Sequence, residues 1–402
     1  MKKQSSKITI LFFVMVVVML GFGIVIPILP FYVETMSASA QSLGILMAIF
    51  SIAQFISAPI WGNLSDRIGR KPLLMIGLLG SAVGQILFGL STQFWMLLVS
   101  RALTGILSSA TMPTAMAYIS DSTTEENRSG GMGMLGAAMG VGMVLGPGLG
   151  GWLGQKSLSL PFFGAAAVTV LAFFLVLILL PESLPVDQRI TNHVKGQSQL
   201  VTMFSALSGP AGFLFILAFL VSFAMTSFEG IFALFASHRF QYGPEQVGTI
   251  MTVIGLLSAV AQGGLTGPLS RRFGDHNVIK ASLIGTAIGF AIMLTARNFT
   301  GVLLTTSFFV LSNNMLRPGI ASLISRNVEN QGSAQGLNNA FMSLGRIVGP
   351  LWAGFMFDIN LDFPYLSSAA IMLVSFVLSL MWLNPISISK PTEAIPAISE
   401  NN

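Results

Sequence analysis

Twelve long apolar runs constrain this chain more strongly than any other feature of its sequence. They lie at about residues 8–33, 42–63, 72–91, 94–119, 131–153, 160–181, 211–236, 246–269, 277–296, 299–324, 335–357 and 364–384. As an α-helix, each run is long enough to cross a hydrocarbon core of roughly 30 Å. Only 9% of the residues are charged, whereas a soluble domain carries roughly 25%. The sequence therefore predicts an all-α membrane protein with twelve transmembrane helices in a lipid bilayer.

The distribution of lysine and arginine predicts how these helices are oriented. Twelve crossings place both termini on one side, where 14 of the 20 basic residues fall: Lys2, Lys3, Lys7, Arg67, Arg70, Lys71, Arg128, Arg189, Lys195, Arg271, Arg272, Lys280, Arg326 and Lys390. Three lie on the other side (Lys156, Arg239 and Arg297), and three lie within the runs (Arg101, Arg317 and Arg346). Because basic residues favour cytoplasmic loops, we expect both termini in the cytoplasm and the protein in the cell membrane. The basic residues do not indicate a nucleic-acid partner, since no soluble segment could carry such a patch.

The start of the chain does not fit a signal peptide. Its apolar run continues for about 25 residues and no small-residue cleavage site ends it. We interpret this run as the first helix.

The chain divides into two related halves. A polar stretch at about 182–208, with no helical period, separates the sixth and seventh runs. Glycine and proline positions recur across it: Gly133, Gly142, Gly146, Pro147 and Gly151 return 203 positions later as Gly336, Gly345, Gly349, Pro350 and Gly354, and Gly62, Gly69 and Pro113 return 205 positions later as Gly267, Gly274 and Pro318. The predicted domains are residues 1–183, a cytoplasmic linker at 184–210, and residues 211–402. Two such six-helix halves should be pseudo-symmetric and surround a central cavity.

The loop between the second and third runs contains Gly62, Asp66, Arg67, Gly69 and Arg70 in a fixed order. Gly69 permits a tight turn, and Asp66 can pair with basic groups or cap a helix. A short basic anchor would need fewer defined positions. This loop resembles a cytoplasmic motif of the major facilitator superfamily, which implies a role in conformational change. Its second-half copy has no aspartate at the matching position, so we do not expect the same switch there.

Two further motifs resemble those of exporters in this superfamily. Gly142, Gly146, Pro147, Gly150 and Gly151 match the antiporter motif of the fifth helix. Glycines one turn apart also allow close helix packing, so the motif is in part structural. In the first run, Gly21-Phe-Gly23 with Pro27 and Pro30 resembles the first-helix motif of drug exporters. The two prolines free backbone carbonyls in the outer half of this run, which predicts a broken helix there. Together the motifs resemble the drug:proton antiporter group, in particular the multidrug exporters of Gram-positive bacteria.

Charges inside the bilayer are costly and are usually functional or paired. Glu229, in the seventh run, is the one carboxylate placed well inside a predicted helix. Burial favours the neutral form of a carboxyl group, which suits a proton carrier. The resemblance adds Arg101 to proton coupling, through the fourth-helix motif. The structural alternatives are that Arg101 binds carbonyls of neighbouring helices and that Arg317 binds carbonyls freed by Pro318.

Related exporters often have an acid three residues before the tenth-helix arginine, but Asn314 stands there in this chain. Arg346 stands where a small or polar residue is common, and whether it pairs with Glu229 is open at this point. Aromatic, amide and basic residues predict the substrate site: Gln54, Phe228, Phe232, Asn313, Asn314, Arg317, Phe341 and Arg346.

These observations predict a monomeric secondary transporter that exports small amphipathic compounds by alternating access, with protons as the coupling ion and no cofactor. A facilitator for a polar metabolite such as a sugar is the first alternative, and a membrane receptor is the second. No nucleophile–base set or phosphate-binding loop indicates an enzyme or an ATP-driven pump. With no cysteine and three scattered histidines, no metal site is expected. If Arg317 and Arg346 face the cavity, the substrate should be neutral, zwitterionic or anionic; if they are turned into helix contacts, a preference for cations returns.

Overall fold

The computed structural model describes residues 2–189, 199–209, 211–328 and 331–383. Within these residues, twelve helices are long and apolar enough to span a membrane. We number them spans 1 to 12 in chain order: Ile8–Val25, Ala40–Ile68, Arg70–Gly89, Phe94–Ser122, Glu125–Lys156, Leu160–Leu179, Gly212–Phe240, Pro244–Phe273, Asp275–Met293, Phe299–Asn327, Gln331–Ile359 and Phe363–Trp382. The predicted all-α, twelve-span architecture is confirmed.

Prolines interrupt two spans of the first half. Span 1 ends at Val25, and a separate short helix, Leu29–Glu34, follows it. Span 4 consists of two segments, Phe94–Ser108 and Thr111–Ser122. Pro27 and Pro113 lie at these two breaks, and neither has an N–H to donate to the preceding turn. The sequence predicted the first break and missed the second.

Span 8 carries a π-helical turn at Ala261–Leu265, between regular segments. Its wider winding changes the local hydrogen-bond pattern, and the Oγ1 of Thr266 donates to the carbonyl oxygen of Ala261 at 2.7 Å. Such turns are single insertions within α-helices and often accompany functional regions.

Hydrogen bonds between loops show which span ends share a face of the bundle. Arg70 at the start of span 3 donates its Nε to Asp121 Oδ2, in the last turn of span 4, at 2.8 Å. Its backbone N donates to Glu182 Oε1, just after span 6, also at 2.8 Å. We call this side the amino-terminal face. On the other side, which we call the far face, the Tyr32 hydroxyl donates to the carbonyl oxygen of Ser91, before span 4.

Within each half, the motif glycines let two helices approach closely. Span 5 packs against span 1, where a Cβ built on Gly146 would lie 2.7 Å from the Cα of Gly23. Span 11 packs against span 7 in the same way, and Thr226 Oγ1 donates to the carbonyl oxygen of Gly345 at 3.2 Å. Small residues make such backbone contact possible in membranes.

The linker between the halves contains a helix that the sequence analysis missed. Gln199–Leu207 is helical and packs on spans 7 and 11. Met203 is buried on its inner side while Phe204 is exposed. The prediction of a linker without a helical period was wrong over this segment, because a nine-residue helix is too short for a clear periodic signal and is stabilised by tertiary packing. His193 and Lys195 of the linker lie outside the described residues.

Candidate substrate and proton site

The two halves meet along the outer parts of spans 5 and 8. A Cβ built on Gly248 would lie 2.6 Å from the carbonyl oxygen of Pro147, and one built on Gly255 would lie 3.0 Å from that of Met143. Toward the amino-terminal face a Cβ on Gly133 or Gly264 would meet nothing within 4 Å, and the last segment of span 8, Thr266–Phe273, packs on spans 9 and 10 of its own half. The contact therefore begins at the far face and ends partway down.

Spans 2 and 11 repeat this arrangement on the opposite side. A Cβ on Gly354 would lie 3.0 Å from the Cα of Gln41, and one on Gly44 would lie 3.3 Å from the Cα of Leu351. Further toward the amino-terminal face, a Cβ on Gly62 meets nothing within 4 Å. A cleft between the halves therefore opens at the amino-terminal face and is closed at the far face.

Four hydrogen bonds between described residues join the halves, and all four lie at the far face. The carboxylate of Asp358, in the last turn of span 11, accepts from the backbone N of Ala40 at 3.0 Å and from that of Gln41 at 2.9 Å. These donors are the free N–H groups at the start of span 2, so the carboxylate caps a helix of the other half. The remaining two bonds join the side chains of His238 with Glu34 and of Gln155 with Glu245.

Glu229 lies on span 7 just beneath this closed region. A Cβ on its neighbour Gly230 would lie 3.5 Å from Met47 Sδ in span 2 and 3.5 Å from Pro350 Cβ in span 11. Glu229 is partly buried, and within the described residues it makes no hydrogen bond and no ion pair. A carboxylate without a fixed partner at the apex of a cleft can accept and release a proton.

Arg317 and Arg346 share the electrostatic environment of Glu229. The positive charges of both arginines attract its carboxylate, and the two arginines repel each other. No nitrogen–oxygen distance of 4.0 Å or less joins either arginine to Glu229 in the described residues. Arg346 is exposed, and its Nη2 donates to Ser343 Oγ at 3.2 Å. Arg346 lies one helical turn from Pro350 toward the open side. It is therefore near Glu229 but does not form an ion pair with it.

Arg101 occupies a separate position in the first half. Its guanidinium lies over the rings of Phe50 and Phe88, at 5.3 and 5.2 Å from their centroids. Its Nε has no hydrogen-bond partner, and no carbonyl of a neighbouring helix accepts from it within the described residues. Cation–π contacts hold the charge instead. The structure does not bring Arg101 into the group formed by Glu229 and the two other arginines.

The two asparagines of span 10 differ in their surroundings. Asn314 is buried and donates to Ser258 Oγ at 2.9 Å, while its Oδ1 accepts from Gln262 Nε2 at 3.1 Å. Asn313 is fully buried, and neither its Oδ1 nor its Nδ2 has a partner in the described residues. Asn314 thus ties span 10 to span 8 in this conformation, and Asn313 retains unused hydrogen-bonding capacity.

The predicted aromatic residues pack within the second half. Phe228 and Phe232 are each 1% exposed, with ring centroids 4.8 Å apart. Phe341 stacks on Phe215 at 5.4 Å. Gln54 is partly exposed on span 2, two turns from Met47 toward the amino-terminal face. In this conformation the three phenylalanines pack among other rings of the second half, and Gln54 is partly exposed.

The loop motif forms a charge cluster inside the first half. Arg70 Nη1 pairs with Asp66 Oδ1 at 2.5 Å, and its Nε pairs with Asp121. Gly69 adopts a φ of +110°, a conformation that side chains disfavour. Arg67 makes no hydrogen bond or ion pair in the described part. With the cleft open at this face, the cluster contacts its own half.

Sequence reasoning missed four acidic residues that organise the two faces: Asp121, Glu182, Asp275 and Asp358. Asp275 accepts from Ser322 Oγ at 2.8 Å and pairs with Arg326 at 3.3 Å. The 205-residue offset relates this pair to Arg70 and Asp121, so the repeat itself could have found it. Among the described residues, no group of three histidine, aspartate or glutamate side chains could hold a metal ion.

Comparisons with known proteins agree with this architecture. The family model for the Major Facilitator Superfamily matches residues 11–350 and 214–399. Multidrug resistance proteins 1 and 2 of Bacillus subtilis (strain 168) are 34% and 33% identical, covering 98% and 95% of this chain and 100% and 97% of their own lengths. The quinolone resistance protein NorA of Staphylococcus aureus (strain COL) is 28% identical, over 94% of this chain and 97% of its own.

Among solved structures, the nucleoside transporter NupG superimposes with a TM-score of 0.78 at 14% identity, covering 95% of this chain and all of that one (100%). A bacterial homologue of the human lysosomal transporter Spinster gives 0.76 at 15% identity, covering 94% of this chain and 96% of that one. At such identities the likeness establishes the fold.

Proposed function

Because this chain belongs to the major facilitator superfamily, we propose that it exports small amphipathic compounds across the cell membrane in exchange for protons. The superfamily consists of transporters and not of enzymes. The names of the similar bacterial proteins, which refer to multidrug and quinolone resistance, support the substrate class. The protein works as a monomer and uses no cofactor.

The orientation follows from charge. The amino-terminal face carries most of the lysines and arginines, and basic loops remain in the cytoplasm. The cleft in this structure is then open to the cytoplasm, where an exporter must take up its substrate. Alternating access requires a second state, open at the far face, in which Asp66 and its loop stabilise the closed cytoplasmic side.

One observation carries the proposal: Glu229 lies without a direct partner at the closed end of the cleft, next to the contact between the halves. Protonation at this position can change both substrate affinity and the contact above it. Gln54 of span 2 and Arg346 of span 11 come from different halves and are partly exposed and exposed, so we assign them to the first contact with a bound compound. Asn313, Asn314, Arg317 and the buried phenylalanines complete the proposed site when the helices rearrange.

Transport by the purified protein tests this function. The protein is reconstituted into liposomes, and uptake of the neutral amphipathic dye N-phenylnaphthylamine is followed after the interior is made acidic. We expect accumulation that a proton ionophore abolishes. Dye equilibration that depends on the protein and ignores the gradient would instead indicate a facilitator, and the absence of any protein-dependent movement of this or other amphipathic dyes would contradict export.

A further inference from the structure

One ionisable pair among the described residues, His238 and Glu34, joins the two halves away from the cleft. His238 in the last turn of span 7 lies 2.8 Å from Glu34, at the end of the short helix after span 1, measured from Nε2 to Oε1. The side chain of His238 is 53% exposed and that of Glu34 is 33% exposed. Both are therefore accessible to protons from the far face, in a place where the cleft is closed.

The charged neighbours of His238 are already engaged elsewhere. Arg239, next to it on span 7, pairs with Asp362 at 2.8 Å and donates to the carbonyl oxygen of Leu294. Span 11 presents the ring of Phe357, 5.8 Å from the imidazole. The adjacent Asp358 accepts from backbone N–H groups of span 2. Glu34 is thus the one carboxylate among the described residues that binds the imidazole directly.

This contact depends on the conformation of the protein. Glu34 belongs to the first half and His238 to the second, so the distance between them increases when the halves separate at the far face. A protonated imidazole also interacts favourably with the carboxyl end of span 7, whose last carbonyl groups carry partial negative charge. The other hydrogen bonds that close the far face join the carboxylates of Asp358 and Glu245 to backbone N–H groups and to the amide of Gln155, and neither kind of donor gains or loses charge between pH 5 and 8.

We propose that His238 and Glu34 form an external proton-binding site that holds the far face closed. Binding of a proton to His238 completes an ion pair that exists in the closed state and is lost in the open one. A ligand that binds one state more tightly shifts the equilibrium toward that state, so external acid favours closure. In a protein that takes protons from outside, this closure limits re-entry of exported compounds while the gradient is present.

The predicted size of the effect is modest. Pairs exposed to this degree contribute little free energy in general. A threefold change in the ratio of the two conformations, which corresponds to about 0.65 kcal/mol, is therefore the expected order of the effect, and distance measurements resolve it.

The experiment uses the full-length protein in lipid nanodiscs without substrate. The chain has no cysteine, so Thr92→Cys in the first half and Arg297→Cys in the second place spin labels at the far face. The Glu229→Gln background removes the other proton site. Distance distributions are compared at about pH 5 and pH 8, between which a histidine ordinarily changes its charge.

We expect the ratio of closed to open protein to rise about threefold at the lower pH, and this rise to disappear in His238→Gln and in Glu34→Gln. His238→Arg, which keeps a permanent positive charge, should remain closed at both values. His276→Gln, at the amino-terminal face, is the control and should retain the rise. A pH dependence that persists in both His238→Gln and Glu34→Gln, or no pH dependence in the parent, would overturn the proposal without affecting the export function.

Discussion

Arg70 and Asp121 form an ion pair of 2.8 Å between the start of span 3 and the end of span 4. The corresponding positions of the second half, 205 residues later, hold Asp275 and Arg326 at 3.3 Å, with the charges exchanged. Asp66, the other partner of Arg70, corresponds to Arg271. The repeat thus preserves the contact between the same two helices in each half and inverts the sign of every member. The ion pair between the two helices is preserved in both halves, and either arrangement of the charges can form it.

Loss of Arg70 should destabilise the first half. The Arg70 side chain is 8% exposed, so Arg70→Gln leaves two carboxylates without their cation and should cost about 2 kcal/mol, less than a fully buried pair because both partners are partly exposed. The melting temperature of the purified protein in detergent measures this. Arg67→Gln removes the same charge without losing a described contact and should melt close to the parent. Equal melting temperatures for the two variants would mean that the cluster does not support the fold.

The inverted arrangement predicts a rescue. Arg70→Asp alone places three carboxylates together and should be severely destabilised. Adding Asp66→Arg and Asp121→Arg recreates the charge order of the second half, and the triple variant should melt above Arg70→Asp. If it melts lower still, the charge exchange between halves has no structural equivalence.

Proton coupling should depend on Glu229. Glu229→Gln keeps the shape of the side chain and cannot release a proton, so gradient-driven accumulation of the dye in liposomes should be lost while the protein still folds. Glu125→Gln, at the exposed start of span 5, is the matched control. Retained coupling in Glu229→Gln would remove this residue from the mechanism.

Asp66 should favour closure of the amino-terminal face. In the open state shown here it binds Arg70 alone, so its charge is available to the other half when the cleft closes. Asp66→Asn should therefore increase the population that is open at this face. Spin labels at Ser129→Cys and Gly267→Cys report the distance across the cleft. An unchanged distribution together with normal turnover would leave the loop a topological role.

Asp358 should hold the far face closed through the start of span 2. Removing a helix-capping carboxylate costs about 1 kcal/mol, which corresponds to about a fivefold change in a two-state ratio. Asp358→Ala should therefore shift the labels at Thr92→Cys and Arg297→Cys toward longer distances. Asp362→Ala removes a carboxylate from the same face, but one that pairs within the second half, and should have a smaller effect. Equal shifts would argue against a specific contribution from Asp358.

The charge of the preferred substrate should depend on the charged residues at the closed end of the cleft. Arg317 and Arg346 outnumber Glu229, and at an effective dielectric of about 20 two like charges 4 Å apart repel by about 4 kcal/mol. A cation must therefore lie closer to Glu229 than to either arginine. We expect neutral or zwitterionic compounds to be exported better than a cationic dye, and Arg346→Gln to reduce the difference, with Arg297→Gln as control. Strong resistance of cells to the cation alone would contradict this.

The sequence by itself determined the twelve spans and the family, and predicted the two halves, because hydrophobic length and motif spacing are local properties of the chain. The break at Pro27 and the close packing at the motif glycines follow from the chemistry of single residues. Local signals also singled out Glu229, as the one carboxylate well inside a predicted apolar run.

Only the tertiary structure decided which charged groups are neighbours and which end of the cleft is open. It separated Arg101 from Glu229 and buried Phe228 and Phe232 among other rings. It also brought Asp358 of span 11 into hydrogen bonds with the start of span 2, more than 300 positions away in the chain. These outcomes depend on how helices from the two halves meet, and one sequence must allow at least two such arrangements for alternating access. Contacts that exist in one conformation and are lost in the other leave no periodicity in the sequence. They can therefore be identified only in a structure of the conformation that contains them.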